Sequence, residues 1–278
     1  MILVTGATGN IGRPLVHELA AKGVKVRALT RTPATARFPD GVEVCDSATP
    51  DLDGATALLL NLAGVVGPPG DLLRAAREAG VRRVVTVSSL VVVLDQEAKE
   101  GSTAALHRAL EASVEADFPE WTHLRPGGFA ANSLQWAGKL AAGDVIREPY
   151  PDARTSPIHE ADIAAVAVRA LLDDDLLGQA LSLTGPEDLT TADQVAILGR
   201  VLGRPLRCER TSPEETKAEV MATNSWVSEE AVDSMLRFLA GTVGTPALVT
   251  EEVRRVLGRP ARSYAEWAAD HADAFRRV

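Results

Sequence analysis

The chain has 278 residues, enough for one large α/β domain with a modest cap and for a sizeable buried core. Apolar residues make up 46% and charged residues 24%, an ordinary globular balance that excludes a mainly disordered or low-complexity chain. A net charge of −9 argues against a general affinity for nucleic-acid phosphates or anionic lipid, and two cysteines, Cys45 and Cys208, are too few for a disulfide framework or a cysteine-rich zinc site.

The first residues, Met1 to Gly6, already read as the start of a strand, with no basic or apolar leader before them. The densest apolar stretch, 57–66, is broken by Asn61 and falls short of the roughly 20 residues that span a bilayer. The expectation is a cytoplasmic protein with small-molecule partners, no nucleic acid and no membrane; its oligomeric state stays open. Strands are expected over 2–5, 24–30, 42–45, 57–62, 83–88 and 122–125, alternating with helices over 14–22, 71–79 and 102–116. Short Val/Leu/Ile runs alternating with amphipathic helices are the pattern of a buried parallel sheet built from βαβ units.

After about residue 130 the alternation breaks. Trp136, Gly143, Pro149, Tyr150 and Pro151 give 134–154 an irregular, cap-like composition. A helix over 162–173 and a strand over 180–184 resume the pattern, and helices follow over 190–202, 213–222, 228–241 and 250–257. The fold class expected is a doubly wound parallel α/β sheet of Rossmann type with a smaller, mainly helical C-terminal part. In that division 1–130 is the core, 155–185 returns to it, and 131–154 with 186–278 forms a cap.

Gly6-Ala7-Thr8-Gly9-Asn10-Ile11-Gly12 lies directly after the first strand and before a helix. Absent side chains at Gly6 and Gly9 let the backbone turn and approach a pyrophosphate, the helix N-terminus favours the negative charge, and Gly12 permits close helix–strand packing. The second strand ends at Thr30-Arg31 without the acidic residue that an NAD site commonly places there. Arg31 can clamp a 2′-phosphate through paired donors and Thr30 can add a hydroxyl, so NADP(H) is the expected cofactor. Arg37 is either an assistant to Arg31 or a solvated loop cation. Leu60, Asn61, Leu62 and Ala63 end the fourth strand along the same edge.

The segments VTGATGNIG (4–12), VRRVVTVSS (81–89), WTHLRPGGF (121–129) and SPIHEADIA (156–164), with Thr30-Arg31 and Leu183-Thr184-Gly185-Pro186, resemble the NmrA-like branch of atypical short-chain dehydrogenases/reductases. The resemblance spans nearly the whole chain. It implies NADP binding, with members that reduce small conjugated or quinone-like substrates and others that act as redox sensors. It also places Ser88 and Ser89 beside the nicotinamide ribose; Pro126, Gly127 and Phe129, which follow the sixth strand, are expected to flank the nicotinamide. Leu90, Phe129 and Trp136 are expected on the substrate side, and Trp136, Trp226 and Trp267 either line an aromatic pocket or anchor a core.

The chain departs from the wider superfamily by lacking Tyr-x-x-x-Lys: its two tyrosines, Tyr150 and Tyr264, have no Lys at that spacing. Where that motif falls, the helix carries His107 and Glu111, one turn apart on one face. Imidazole chemistry near neutral pH makes His107, held by Glu111, the candidate proton donor; no metal site is expected. Three readings follow: an NADPH-dependent reductase of a small hydrophobic conjugated substrate (quinone, enone or ketone), an NADP-binding redox sensor, and a non-redox isomerase, cyclase or lyase on the same scaffold.

Overall fold

The computed structural model describes residues 1–95, 99–223 and 228–276. They fall into two compact units: Met1–Gly127 with Glu160–Leu183 and Glu251–Pro260, and Gly128–His159 with Thr184–Thr250 and Ala261–Val278. Trp226 lies outside the described residues.

In the first unit the chain runs β1 (Ile2–Val4), α1 (Gly12–Ala21), β2 (Val26–Thr30), β3 (Glu43–Asp46), β4 (Ala57–Asn61), α2 (Pro69–Glu78), β5 (Arg83–Val87), α3 (Val91–Leu94), α4 (Thr103–Asp117) and β6 (Glu120–Pro126). Helix Glu160–Leu172 and strand Gln179–Leu183 complete it. Seven strands among the described residues form one sheet in the order β3-β2-β1-β4-β5-β6 and then Gln179–Leu183, every neighbouring pair parallel. This is the doubly wound order: the chain winds outward from β1 to β3, then returns to β4 on the other side, leaving a topological switch point between β1 and β4.

The sequence explains the layers. β2, β4 and β5 are almost wholly buried, as strands covered on both faces must be. On one face Leu3, Leu58, Leu60 and Val84 pack against Leu73 and Ala76 of α2 and Leu110, Val114 and Phe118 near α4. Helix Glu160–Leu172 is apolar nearly all round, with Ile163, Val166, Ala167 and Leu171 buried, because it packs against both the sheet and α1. Inside this unit Arg27 is held by Glu43 at 2.7 Å and Asp51 at 3.1 Å.

The second unit has its own core of Ala130, Trp136, Leu140, Ile146, Leu198, Tyr264, Trp267 and Phe275. Its irregular stretch contains a strand, Val145–Glu148, that pairs in parallel with Arg207–Arg210. Helix Tyr264–Asp270 starts at a capping box in which Ser263 and Glu266 satisfy each other's backbone N–H groups. Trp136 and Trp267 are core anchors here. Trp136 is 3% exposed and donates its indole N–H to Glu148 Oε1 at 2.8 Å, whereas Trp267 is wholly buried between Tyr264 and His271.

Candidate active site

Parallel strands put all their carboxyl ends on one edge, so the ends of β1, β2, β4, β5 and β6 share an edge of the first unit. The switch point is pinned by Thr5, a residue that the spacing of glycines does not reveal. Its hydroxyl lies 3.1 Å from the Leu59 and Asn61 carbonyl oxygens and accepts the Asn61 N–H at 2.7 Å, tying the end of β1 to the end of β4.

The glycine loop leaves β1 with Gly6 at φ +63°, and Gly9 donates its N–H to the Gly6 carbonyl at 3.0 Å. A Cβ on Gly12 would stand 2.2 Å from the Gly6 carbonyl oxygen, so only glycine lets α1 begin this close to the strand. Gly64, a residue outside the sequence-based site, is tighter still. Its Cβ would stand 1.9 Å from Gly6 N and 2.4 Å from Gly6 Cα, so the turn after β4 rests directly on the loop. The signal in the sequence was the small pair Ala63-Gly64 after β4. Asn61 begins that turn by accepting the Ala63 N–H at 3.1 Å.

Helix α1 has no side-chain cap and no acid in its first turn, which leaves its N-terminal dipole uncompensated. Thr8 and Thr30 place their hydroxyls 3.4 Å apart, and Thr30 also accepts the Thr32 N–H at 3.2 Å. Arg31 is exposed at the end of β2 and has no hydrogen bond or ion pair among the described residues. Arg37 is committed otherwise: its guanidinium bonds the Ala34 and Ala36 carbonyls at 3.2 and 2.9 Å, and its own carbonyl accepts from Arg13 at 3.3 Å.

These features fit a dinucleotide. The loop is a cradle that side chains would fill, the uncapped helix start suits a pyrophosphate, and Arg31 is an exposed cation, unpaired among the described residues, of a kind that suits a further phosphate. Further along the edge, Ser88 Oγ is buried just after β5 and lies beside the Glu111 carboxylate. Ser89 accepts the Val91 N–H at 3.4 Å, and Leu90 donates its N–H to the Pro126 carbonyl at 2.9 Å, so the ends of β5 and β6 are held together. Gly127 donates to the Leu183 carbonyl at 2.9 Å. Phe129 is half-buried in the second unit.

The expected pairing of His107 with Glu111 is not the one that the structure forms. Glu111, 4% exposed, accepts from Arg125 Nε at 2.9 Å and Nη2 at 2.6 Å. Burial alone would push its carboxyl up, but Arg125, helped by the nearby Ser88 hydroxyl, holds it below the ordinary range. His107 Nδ1 is buried with no hydrogen-bond partner, and burial lowers this imidazole below its usual value despite the attraction of Glu111. At neutral pH His107 is therefore uncharged. Tyr264 offers no substitute phenol: it is buried in the second unit, its hydroxyl donates to Ser133 Oγ at 2.7 Å, and burial raises its pKa.

No group of three His, Cys, Asp or Glu among the described residues is placed to hold a metal, and no helix among them is long and apolar enough to cross a membrane.

Fold and site together define a nicotinamide-dinucleotide-binding oxidoreductase of the atypical short-chain dehydrogenase/reductase type. Residues 6–174 match the profile of the NAD(P)H-binding family, and the chain belongs to that family. It is 37% identical over 286 positions to a (4-alkanoyl-5-oxo-2,5-dihydrofuran-3-yl)methyl phosphate reductase of Streptomyces griseus, covering 99% of both chains. It is 32% identical over 291 positions to an NAD(P)H azoreductase of Xenophilus azovorans, again covering 99% of both. Among solved structures, an NADPH-dependent quinone oxidoreductase of Escherichia coli complexed with NADPH superposes with a TM-score of 0.78 at 23% identity, covering 97% of this chain and 99% of that one. A triphenylmethane reductase of Citrobacter sp. gives 0.77 at 19% identity over 99% of each. These two likenesses confirm the fold.

Proposed function

We propose that this protein is an NADPH-dependent reductase of a small, hydrophobic, conjugated acceptor of the quinone or unsaturated-carbonyl class. The observation that carries the cofactor choice is Arg31, an unpaired cation beside Thr30 at the end of a β2 that has no acid there. In this reading Gly6, Thr8, Gly9, Asn10, Ile11 and Gly12 cradle the pyrophosphate, and Thr30 with Arg31 takes the 2′-phosphate. Leu60, Asn61, Leu62 and Ala63 flank the cofactor, while Ser88, Ser89, Pro126 and Gly127 hold its ribose and nicotinamide end. When bound, the cofactor supplies hydride.

The substrate class is supported by what the two curated relatives share in their names. One names an unsaturated lactone conjugated to an acyl group, the other an azo compound; each is an electron-poor π system. Such an acceptor stabilises the charge it gains by resonance, so it needs little acid assistance, which suits a chain without Tyr-x-x-x-Lys. His107 supplies a neutral imidazole at the edge, and Leu90, Phe129 and Trp136 belong to the substrate side, Trp136 as a support from within the second unit's core. We assign the substrate-binding part to 131–154 and 186–278 and the setting to the cytoplasm, which the two cysteines suit. Acceptor-dependent oxidation of NADPH, with NADH a poorer donor, tests the proposal; tight NADPH binding without turnover on quinones, enones and azo compounds would overturn it.

A further inference from the structure

Helix α4 and strands β5 and β6 enclose a polar seam inside the first unit. β5 contributes Thr86, and Ser88 follows it; β6 contributes His123 and Arg125; α4 contributes His107, Glu111 and Glu115. Thr86 and His123 are opposite each other in the strand register, so they face the same side of the sheet. His123 is wholly buried, stacks on Trp121 at 4.7 Å and lies 3.3 Å from Glu115. One charge-assisted pair dominates this seam, the two-pronged contact of Arg125 with both oxygens of Glu111.

Burial is the main influence on His107, and the Glu111 charge opposes it, so what holds Glu111 bears on the ring. His107 lies one turn before Glu111 on the same helix face, close enough to feel its charge, yet no hydrogen bond joins them. A buried carboxylate left to itself beside an imidazole draws a proton onto the ring. Here both carboxylate oxygens accept from Arg125, whose positive charge stands against the carboxylate's. The other charged neighbours do not change the balance: Arg108 on α4 bonds the Val92 and Asp95 carbonyls, and Glu115 faces His123.

We propose that Arg125 is a positioning residue: by occupying both oxygens of Glu111 and opposing its charge, it keeps the carboxylate from claiming the His107 ring, so that the buried imidazole stays neutral with Nδ1 free. A neutral ring has one N–H to donate and one nitrogen to accept, whereas an imidazolium locked to Glu111 has donors alone. The charge assignment stands without the reductase reading; only its consequence for turnover rests on that reading.

The test is an ¹H–¹⁵N titration of the imidazoles in the full chain, with His107 assigned by its disappearance in His107→Gln. In the parent protein His107 titrates below the ordinary histidine range. In Arg125→Met its curve moves upward, and adding Glu111→Gln to that variant brings it back. Arg125→Lys, which retains the charge, stays close to the parent. A His107 curve that does not move in Arg125→Met, or that moves equally in the double variant, overturns the proposal. Should Arg125→Met fail to fold, Glu111→Gln alone leaves the Arg125 charge unopposed and must lower the His107 curve further; an unchanged curve is again a refutation. Turnover of NADPH with a quinone across pH is measured on the same proteins. If the imidazole shifts as stated while the pH profile stays still, the positioning of His107 is supported and its catalytic use falls.

Discussion

Gly64→Ala is the sharpest perturbation of the cofactor cradle. The added methyl would sit 1.9 Å from Gly6 N and 2.8 Å from the Thr5 carbonyl carbon, both backbone atoms that cannot rotate away. Reaching ordinary contact requires the glycine loop or the turn after β4 to retreat by about 1.5 Å. Overpacking of this kind costs about 1–3 kcal/mol, which for a chain of this size corresponds to a fall in Tm of about 2–10 °C. The retreat also moves the backbone away from the pyrophosphate position. Loss of one charge-assisted hydrogen bond there, worth about 1.5–3 kcal/mol, weakens dinucleotide binding by about 10–100-fold. NADPH and NADH should suffer alike, because the pyrophosphate is common to both. Gly70→Ala is the control, since a Cβ there meets nothing within 4 Å. Calorimetric titration with both dinucleotides, beside a thermal melt, reads the two effects separately. A Gly64→Ala protein that binds both as tightly as the parent would refute the cradle, whatever its Tm.

Arg31→Ala should weaken NADPH by about 10–100-fold, the worth of one charge-assisted contact, and leave NADH within about a factor of two. Equal losses for the two would remove the 2′-phosphate assignment. Burial raises the pKa of Glu148, with Glu219 adding to it and Trp136 and Lys139 opposing, so the folded state holds this proton more tightly than the unfolded one. Its stabilising contribution is thus complete below about pH 4.5, the ordinary glutamate value, and is lost as pH rises through the elevated one. Glu148→Gln should therefore be more stable than the parent at pH 7–8, with the gap closing toward pH 4.5 in urea melts. A constant gap contradicts the burial argument. Tyr264→Phe leaves Ser133 without its 2.7 Å partner and should cost about 1–2 kcal/mol while NADPH affinity is unchanged; a change in affinity would give Tyr264 a role beyond the second unit's core.

The parts of the molecule legible in the sequence are those governed by local periodicity. Buried strands read as Val/Leu/Ile runs, so β4 and β5 lie within a residue of their expected spans, and α4 falls at Thr103–Asp117 against an expected 102–116. The glycine loop was legible because its chemistry is local too: a strand, a turn and a helix start within twelve residues. What escaped was set by contacts distant in sequence. Val145–Glu148 pairs with a strand about sixty residues away, and an irregular composition gave no sign of it. Gly64 owes its role to the loop around Gly6, and Thr5 to a hydroxyl that reaches across the switch point. Glu111 is the instructive case. Its helical spacing from His107 is real, but a guanidinium from β6 offers two strong bonds where the imidazole offers one, and helix periodicity carries no information about the strand behind it. Helix Tyr264–Asp270 was missed as well, although the Ser263-x-x-Glu266 pattern of its capping box is local and could have marked its start.

The central claim is that the edge built from the glycine loop, Arg31 and the ends of β5 and β6 delivers hydride to a conjugated acceptor. The most direct measurement follows the absorbance of reduced nicotinamide in the purified protein after addition of a quinone, an enone lactone or an azo compound, with binding of NADPH and NADH determined first by nicotinamide fluorescence. NADPH should bind more tightly than NADH, and the reduced-cofactor band should decay in a way that depends on enzyme and on acceptor. Tight binding of NADPH with no decay on any of the three acceptor classes would contradict the claim.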